Sequence, residues 1–123
     1  MNFAILTSGG DSPGMNAAIR AFVRAMHFHG HNTYGVMRGY SGLIENDIQE
    51  LTNKDVGNII QRGGTVLKTS RSMEFLDKKI RLSAYKNFKK LKINGLCVIG
   101  GDGSYKGAYT LHKESKIPVI GIP

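Results

Sequence analysis

Leu96-Cys97-Val98-Ile99-Gly100-Gly101-Asp102-Gly103-Ser104 is an apolar run that breaks into an acidic glycine loop. The same pattern stands ninety-one residues earlier, where Phe3-Ala4-Ile5-Leu6-Thr7 runs into Ser8-Gly9-Gly10-Asp11-Ser12-Pro13-Gly14. Each reads as a buried strand whose loop leads into a helix. Glycine lets a backbone approach a phosphate and turn its N–H groups toward it, and a following helix adds partial positive charge at its N-terminus. A carboxylate in such a loop repels a bare phosphate but suits one bridged by a divalent cation. The two segments therefore point to a Mg-nucleotide site. A plain strand-to-helix turn explains one such loop more readily than two acidic ones.

Around them the pattern alternates. Residues 2–7 read as a strand and 15–29 as a helix, with Met15, Ala18, Ile19, Phe22, Val23 and Met26 on one apolar stripe and Gly30 as its cap. A strand over Asn32–Met37, a turn at 38–42, a short strand near 48–51 and a helix around Lys54–Gln61 follow. The polar segment after Arg62-Gly63-Gly64-Thr65 leads to a lysine-rich helix over 75–93, where Ile80, Ala84, Phe88 and Leu91 recur at helical spacing. Strand 95–99, helix 104–115 and a strand from Ile117 to Ile122 complete the chain. The expectation is an α/β fold: a parallel sheet with helices on both faces, three-layered and Rossmann-like, with its ligand beyond the carboxyl ends of the strands.

The 123 residues suit one domain, and 16 glycines exceed the usual share of about 7%. A lone cysteine, Cys97, builds no disulfide framework. No stretch has the length of a membrane span and no signal-peptide layout opens the chain, so a cytoplasmic, non-membrane protein is expected. The net charge of +8 gathers at Lys78, Lys79, Arg81, Lys86, Lys89, Lys90 and Lys92. These form the wet side of an amphipathic helix, and no recognition signature for nucleic acid accompanies them. A Walker-type loop is absent, and Gly101-Asp102-Gly103-Ser104-Tyr105-Lys106-Gly107 spaces its last glycines wrongly for a dinucleotide fingerprint.

Thr7-Ser8-Gly9-Gly10-Asp11-Ser12-Pro13-Gly14-Met15-Asn16-Ala17-Ala18-Ile19-Arg20 resembles the N-terminal signature of the bacterial ATP-dependent 6-phosphofructokinases. The resemblance continues in order through Gly39-Tyr40, Arg62-Gly63-Gly64-Thr65, Ser70-Arg71 and Val98-Ile99-Gly100-Gly101-Asp102-Gly103-Ser104. It implies a glycolytic kinase that moves the γ-phosphoryl of Mg-ATP to the 1-hydroxyl of fructose 6-phosphate. On that likeness Gly10, Tyr40, Arg71, Ser72, Gly101, Asp102, Gly103 and Ser104 contact ATP, and Asp102 holds Mg²⁺. Arg71 offsets charge on the phosphoryl in flight, as a guanidinium can. Gly103 points to ATP as donor, since pyrophosphate-dependent relatives carry aspartate there.

Arg20 and Arg24 match two residues of the family's effector site for ADP or phosphoenolpyruvate, on one helix face with His27 and His31. Asn53, Lys54 and Gly57 depart from its other contacts. The resemblance further implies that residues 1–123 are an incomplete ATP-binding lobe, ending before the aspartate base and inactive alone, of an enzyme that is a homotetramer at full length. The alternatives are a non-catalytic Mg-nucleotide-binding paralogue or regulatory module, and a basic nucleic-acid-binding protein.

Overall fold

A computed structural model of the chain describes residues 1–9, 14–59, 64–69 and 74–123, except the side chain of Asp102. β1 (Asn2–Thr7) is buried from Ala4 to Thr7 on both faces, as a strand at the centre of a covered sheet must be. It pairs in parallel with β2 (Asn32–Val36) on one side and β4 (Ile93–Ile99) on the other. β5 (Val119–Ile122) extends the sheet in parallel beyond β4, and the short strand Ile48–Leu51, β3, forms the other edge, giving the order β3-β2-β1-β4-β5. β3 (Ile48–Leu51) runs antiparallel to β2 and qualifies the all-parallel expectation.

The two crossovers leave the centre in opposite directions. α1 (Met15–Phe28) joins β1 to β2, and α4 (Asp102–Ser115) joins β4 to β5. Right-handed connections running opposite ways place their helices on opposite faces. Alternation along the strands serves both layers. Ile5, Cys97 and Ile99 pack with Ile19 and Val23 of α1, while Ala4, Leu6, Leu96 and Val98 pack with the other helices. Those are α2 (Tyr40–Glu45), α3 (Lys78–Lys90) and α4. The expected three-layer arrangement is present.

Several boundaries differ from expectation for local reasons. The 38–42 segment is not all turn: Gly39 takes φ +61° and releases the chain into α2 at Tyr40. Within the segment expected as a 54–61 helix, residues 54–58 form turns. Asp55 Oδ2 accepts from both the N–H and hydroxyl of Thr52, and Gly57 N–H donates to Lys54 O, so the chain closes short turns instead. The lysine-rich helix starts at Lys78, where Asp77 accepts from Lys79 N–H, after one 3₁₀ turn at Glu74–Leu76. β4 begins at Ile93, α4 at Asp102, and β5 only at Val119 after Pro118. Burial pushes the Cys97 thiol up to about 11, which keeps it protonated in the core.

α3 and α4 are joined by a nearly dry ion pair. Arg81 Nε and Nη2 donate to Glu114 Oε1 and Oε2 at 2.9 and 3.0 Å, and Tyr85 OH donates to Oε1 at 2.7 Å. The Arg81 and Glu114 side chains are 14% and 15% exposed, so Arg81 does not belong to the wet lysine face. The Arg81 bonds, with help from Tyr85, hold the Glu114 carboxyl down to about 2.

Two outcomes are expected. At Gly42 a methyl group would run into the Met37 carbonyl oxygen, so Gly42→Ala should lower the thermal midpoint by roughly 10 °C, the effect of about 3 kcal/mol of overpacking. A midpoint within a degree of wild type would mean that α2 can shift. The Glu114 pair adds stability above the group's ordinary 4.5 that fades as pH falls toward about 2. Urea titrations should therefore show the stability gap between wild type and Glu114→Gln narrowing across that window, and a pH-independent gap would contradict the charged pair.

Candidate nucleotide-binding cleft

The sheet ladder continues past the strands and sets the two glycine segments side by side. Ser8 N–H donates to Ile99 O at 2.9 Å, and Gly100 N–H donates to Ile122 O at 3.1 Å. β1 and β4 are where the strand order reverses, the place at which open α/β sheets leave a crevice. Gly9 holds φ +85°. Gly100 has no room for a side chain: a Cβ would stand 2.6 Å from Ser8 O and 2.5 Å from Ser104 Oγ. Only glycine permits this approach.

A third segment hangs from the end of β1. The Thr7 hydroxyl donates to Lys68 O at 3.0 Å and lies 3.0 Å from the Thr65 hydroxyl. Thr7 has one proton to give, so Thr65 donates to Thr7 and accepts from Leu67 N–H. Asn16 Oδ1, buried in α1, accepts from Val66 N–H at 2.6 Å, and Arg38 N–H donates to Leu67 O at 2.8 Å. Leu67 is buried over Gly35, where a Cβ would come within 2.6 Å of its side chain. Residues 64–69 are thus fixed from three directions and bring Thr69 to the rim of a cleft.

That cleft holds about 830 Å³ between the glycine segments, the Glu74–Leu76 turn and the first half of α4. Tyr40 and Phe75 line it as a stacked pair, centroids 4.4 Å apart at 28°. Tyr40 OH donates to Ser104 O at 2.7 Å, and its ring fits a notch at Gly107, where a Cβ would be 2.9 Å from the ring. Burial raises the Tyr40 hydroxyl well above its ordinary value, so it stays a donor. Arg81 and Lys106 also line the cleft, and its described lining carries no carboxylate. With the N-terminus of α4 opening there, the chemistry suits an anion with a flat apolar part.

Of the residues singled out in the sequence, Tyr40, Gly101, Gly103 and Ser104 meet in this cleft. Asp102 opens α4 between the two glycines. Gly10, Arg71 and Ser72 lie outside the described residues. Ser104 is buried and tucked beneath Gly100 rather than reaching into the opening. Arg24 lines a separate shallow pocket with His27, Phe28 and Asn53, and Arg20 stands one turn earlier on α1. His31 does not share their face: it lies beyond α1, 3.3 Å from the amino terminus and edge-on to Phe3. Sequence reading missed Phe75, Arg81 and Lys106 as lining. It also missed Thr7 and Asn16 as supports, although a polar residue ending a buried strand and one inside an apolar stripe were visible signals.

Comparison with known proteins places the chain in a family and agrees with the fold. Residues 2–123 match the family described as phosphofructokinase. The chain is 57% identical over 120 residues to the ATP-dependent 6-phosphofructokinase of Thermotoga petrophila, covering 98% of this chain and 38% of that protein. It is 55% identical over 120 residues to the enzyme of the same name from Persephonella marina, covering 98% and 37%. The structure of phosphofructokinase from Saccharomyces cerevisiae superposes with a TM-score of 0.94 at 34% identity, over 98% of this chain and 19% of that one. The chain thus spans little more than a third of the length of the curated relatives it matches. With nearly every residue inside that match, the chain belongs to the phosphofructokinase family.

Proposed function

We propose that residues 1–123 form the ATP-binding lobe of an ATP-dependent 6-phosphofructokinase. Such an enzyme transfers the γ-phosphoryl of Mg-ATP in line to the 1-hydroxyl of fructose 6-phosphate. One observation carries the reading: two glycine segments lie in contact at the sheet's switch point, beside the N-terminus of α4, over a cleft with a stacked aromatic pair and no described carboxylate. The base would rest toward Tyr40 and Phe75, and the phosphates toward Gly9, Gly101 and Gly103. Gly10, Arg71 and Ser72 would complete the phosphate contacts, with Arg71 offsetting charge as the phosphoryl moves.

Mg²⁺ fits the donor set. Asp102, at the start of α4, would hold the ion with its one carboxylate, and phosphate oxygens and water would supply the remaining ligands that Mg²⁺ prefers. Bound there, the ion would neutralise phosphate charge. In this class of chemistry the protein mainly positions groups and supplies electrostatic stabilisation. Arg20 and Arg24 would serve an anionic effector such as ADP or phosphoenolpyruvate, with the Arg24 pocket beside Asn53 as its place. A homotetrameric, cytoplasmic enzyme that binds no nucleic acid belongs to the same proposal. Among the described residues, no helix is long and apolar enough to cross a membrane.

Calorimetric titration of the chain with ATP, with and without Mg²⁺, tests the reading. Asp102→Ala should weaken Mg²⁺-dependent binding by about 10- to 100-fold, the usual cost of losing a metal-site contact. Equal binding across a magnesium titration would remove Asp102 from the site. Gly103 offers an independent check, because among the described residues a Cβ there meets nothing within 4 Å outside its own helix. Gly103→Asp should therefore fold like wild type yet lose about tenfold or more in ATP affinity, through repulsion of the phosphates. Undiminished affinity would show that position 103 does not face them.

A further inference from the structure

Glu114 lies outside the cleft, yet a continuous chain of contacts leads from it to the cleft floor. Its two carboxylate oxygens take the Nε and Nη2 protons of Arg81, a fork-on-fork pair that fixes the guanidinium plane. The third nitrogen, Nη1, then donates to Phe75 O at 3.0 Å. Phe75 sits in the single 3₁₀ turn Glu74–Leu76, with its ring stacked on Tyr40. Tyr40 is held in turn by Ser104 O and by the notch at Gly107. Tyr85 OH steadies the carboxylate at Oε1.

We propose that Glu114 is a positioning residue for the nucleotide cleft: through Arg81 it fixes the Phe75 carbonyl, and with it the Phe75–Tyr40 ring pair on which the base rests. The proposal builds on the nucleotide reading of the cleft. Both members of the pair are mostly shielded from water, so their bonds are weakly screened. Replacing the carboxylate by an amide would set an NH₂ group against the guanidinium and break one arm of the fork. Arg81 would then turn, and the Glu74–Leu76 turn would lose the bond that reaches it from α3. The phosphate end of the cleft, built from the glycine segments and the start of α4, makes no use of this chain.

The test follows from that division. Calorimetric titration of wild type and Glu114→Gln with Mg-ATP and with magnesium tripolyphosphate separates the base from the phosphates. The variant should bind Mg-ATP about tenfold more weakly, roughly the worth of one charge-assisted hydrogen bond. Tripolyphosphate affinity should stay within about twofold, a difference of less than half a kcal/mol. Glu114→Asp keeps the negative charge but is one methylene too short to hold the guanidinium against Phe75 O, so it should repeat the pattern and decides the matter if Glu114→Gln fails to fold. Parallel loss of both ligands would reduce the pair to a general fold contact and overturn the inference, as would unchanged Mg-ATP affinity. Failure of wild type to bind Mg-ATP would instead overturn the nucleotide reading and take the inference with it.

Discussion

The close approach of Ser8 and Gly100 governs the carboxyl edge of the sheet. β1 and β4 stay in register to their last residues, and the backbone beyond them remains within hydrogen-bond and van der Waals range. Because no side chain intervenes at Gly100, Ser104 tucks under the loop and α4 begins close against β1. That start sets where Ser104 O lies, hence where Tyr40 is caught, and hence where Phe75 stacks. A wedge between the two loops would displace all of these together. The cleft is thus a consequence of strand pairing rather than of loops folding on their own.

Charge is divided in a way that the net +8 conceals. Lys78, Lys79, Lys86, Lys89 and Lys90 project from the exposed side of α3, where water screens them. Arg81 shares that helix but turns inward and is neutralised by Glu114. Lys106 and the start of α4 therefore carry the unbalanced positive potential of the described cleft lining. The cation best placed to shape the cleft is spoken for by a carboxylate and a carbonyl, which makes it a strut more than a ligand.

Much of this was legible in the sequence. Five apolar or alternating runs gave the strands, and the stripe from Met15 to Met26 gave α1 almost to the residue. The glycine segments marked the edge of the sheet at which the cleft opens. What stayed hidden depended on contacts distant in sequence. The α2 start at Gly39 reflects a positive φ that no periodicity records. The turns at 53–58 arise because Asp55 caps Thr52 locally, while Val56 and Ile59 are buried at a spacing that also fits a helix. Arg81 sat among lysines and read as one of them, because nothing local reveals Glu114 as its partner.

β1 precedes the other four strands of this sheet in the sequence and is also its centre. On a ribosome its β2 side can be covered soon after Val36 emerges, while its other edge waits for Ile93–Ile99. Until β4 is made, therefore, an apolar strand with open N–H and C=O groups has one side unsatisfied. Pairing so distant in sequence closes slowly. The nascent chain carries the central strand of its sheet as an open edge, a period of vulnerability to misassociation that ends only when the strand before the second glycine segment arrives.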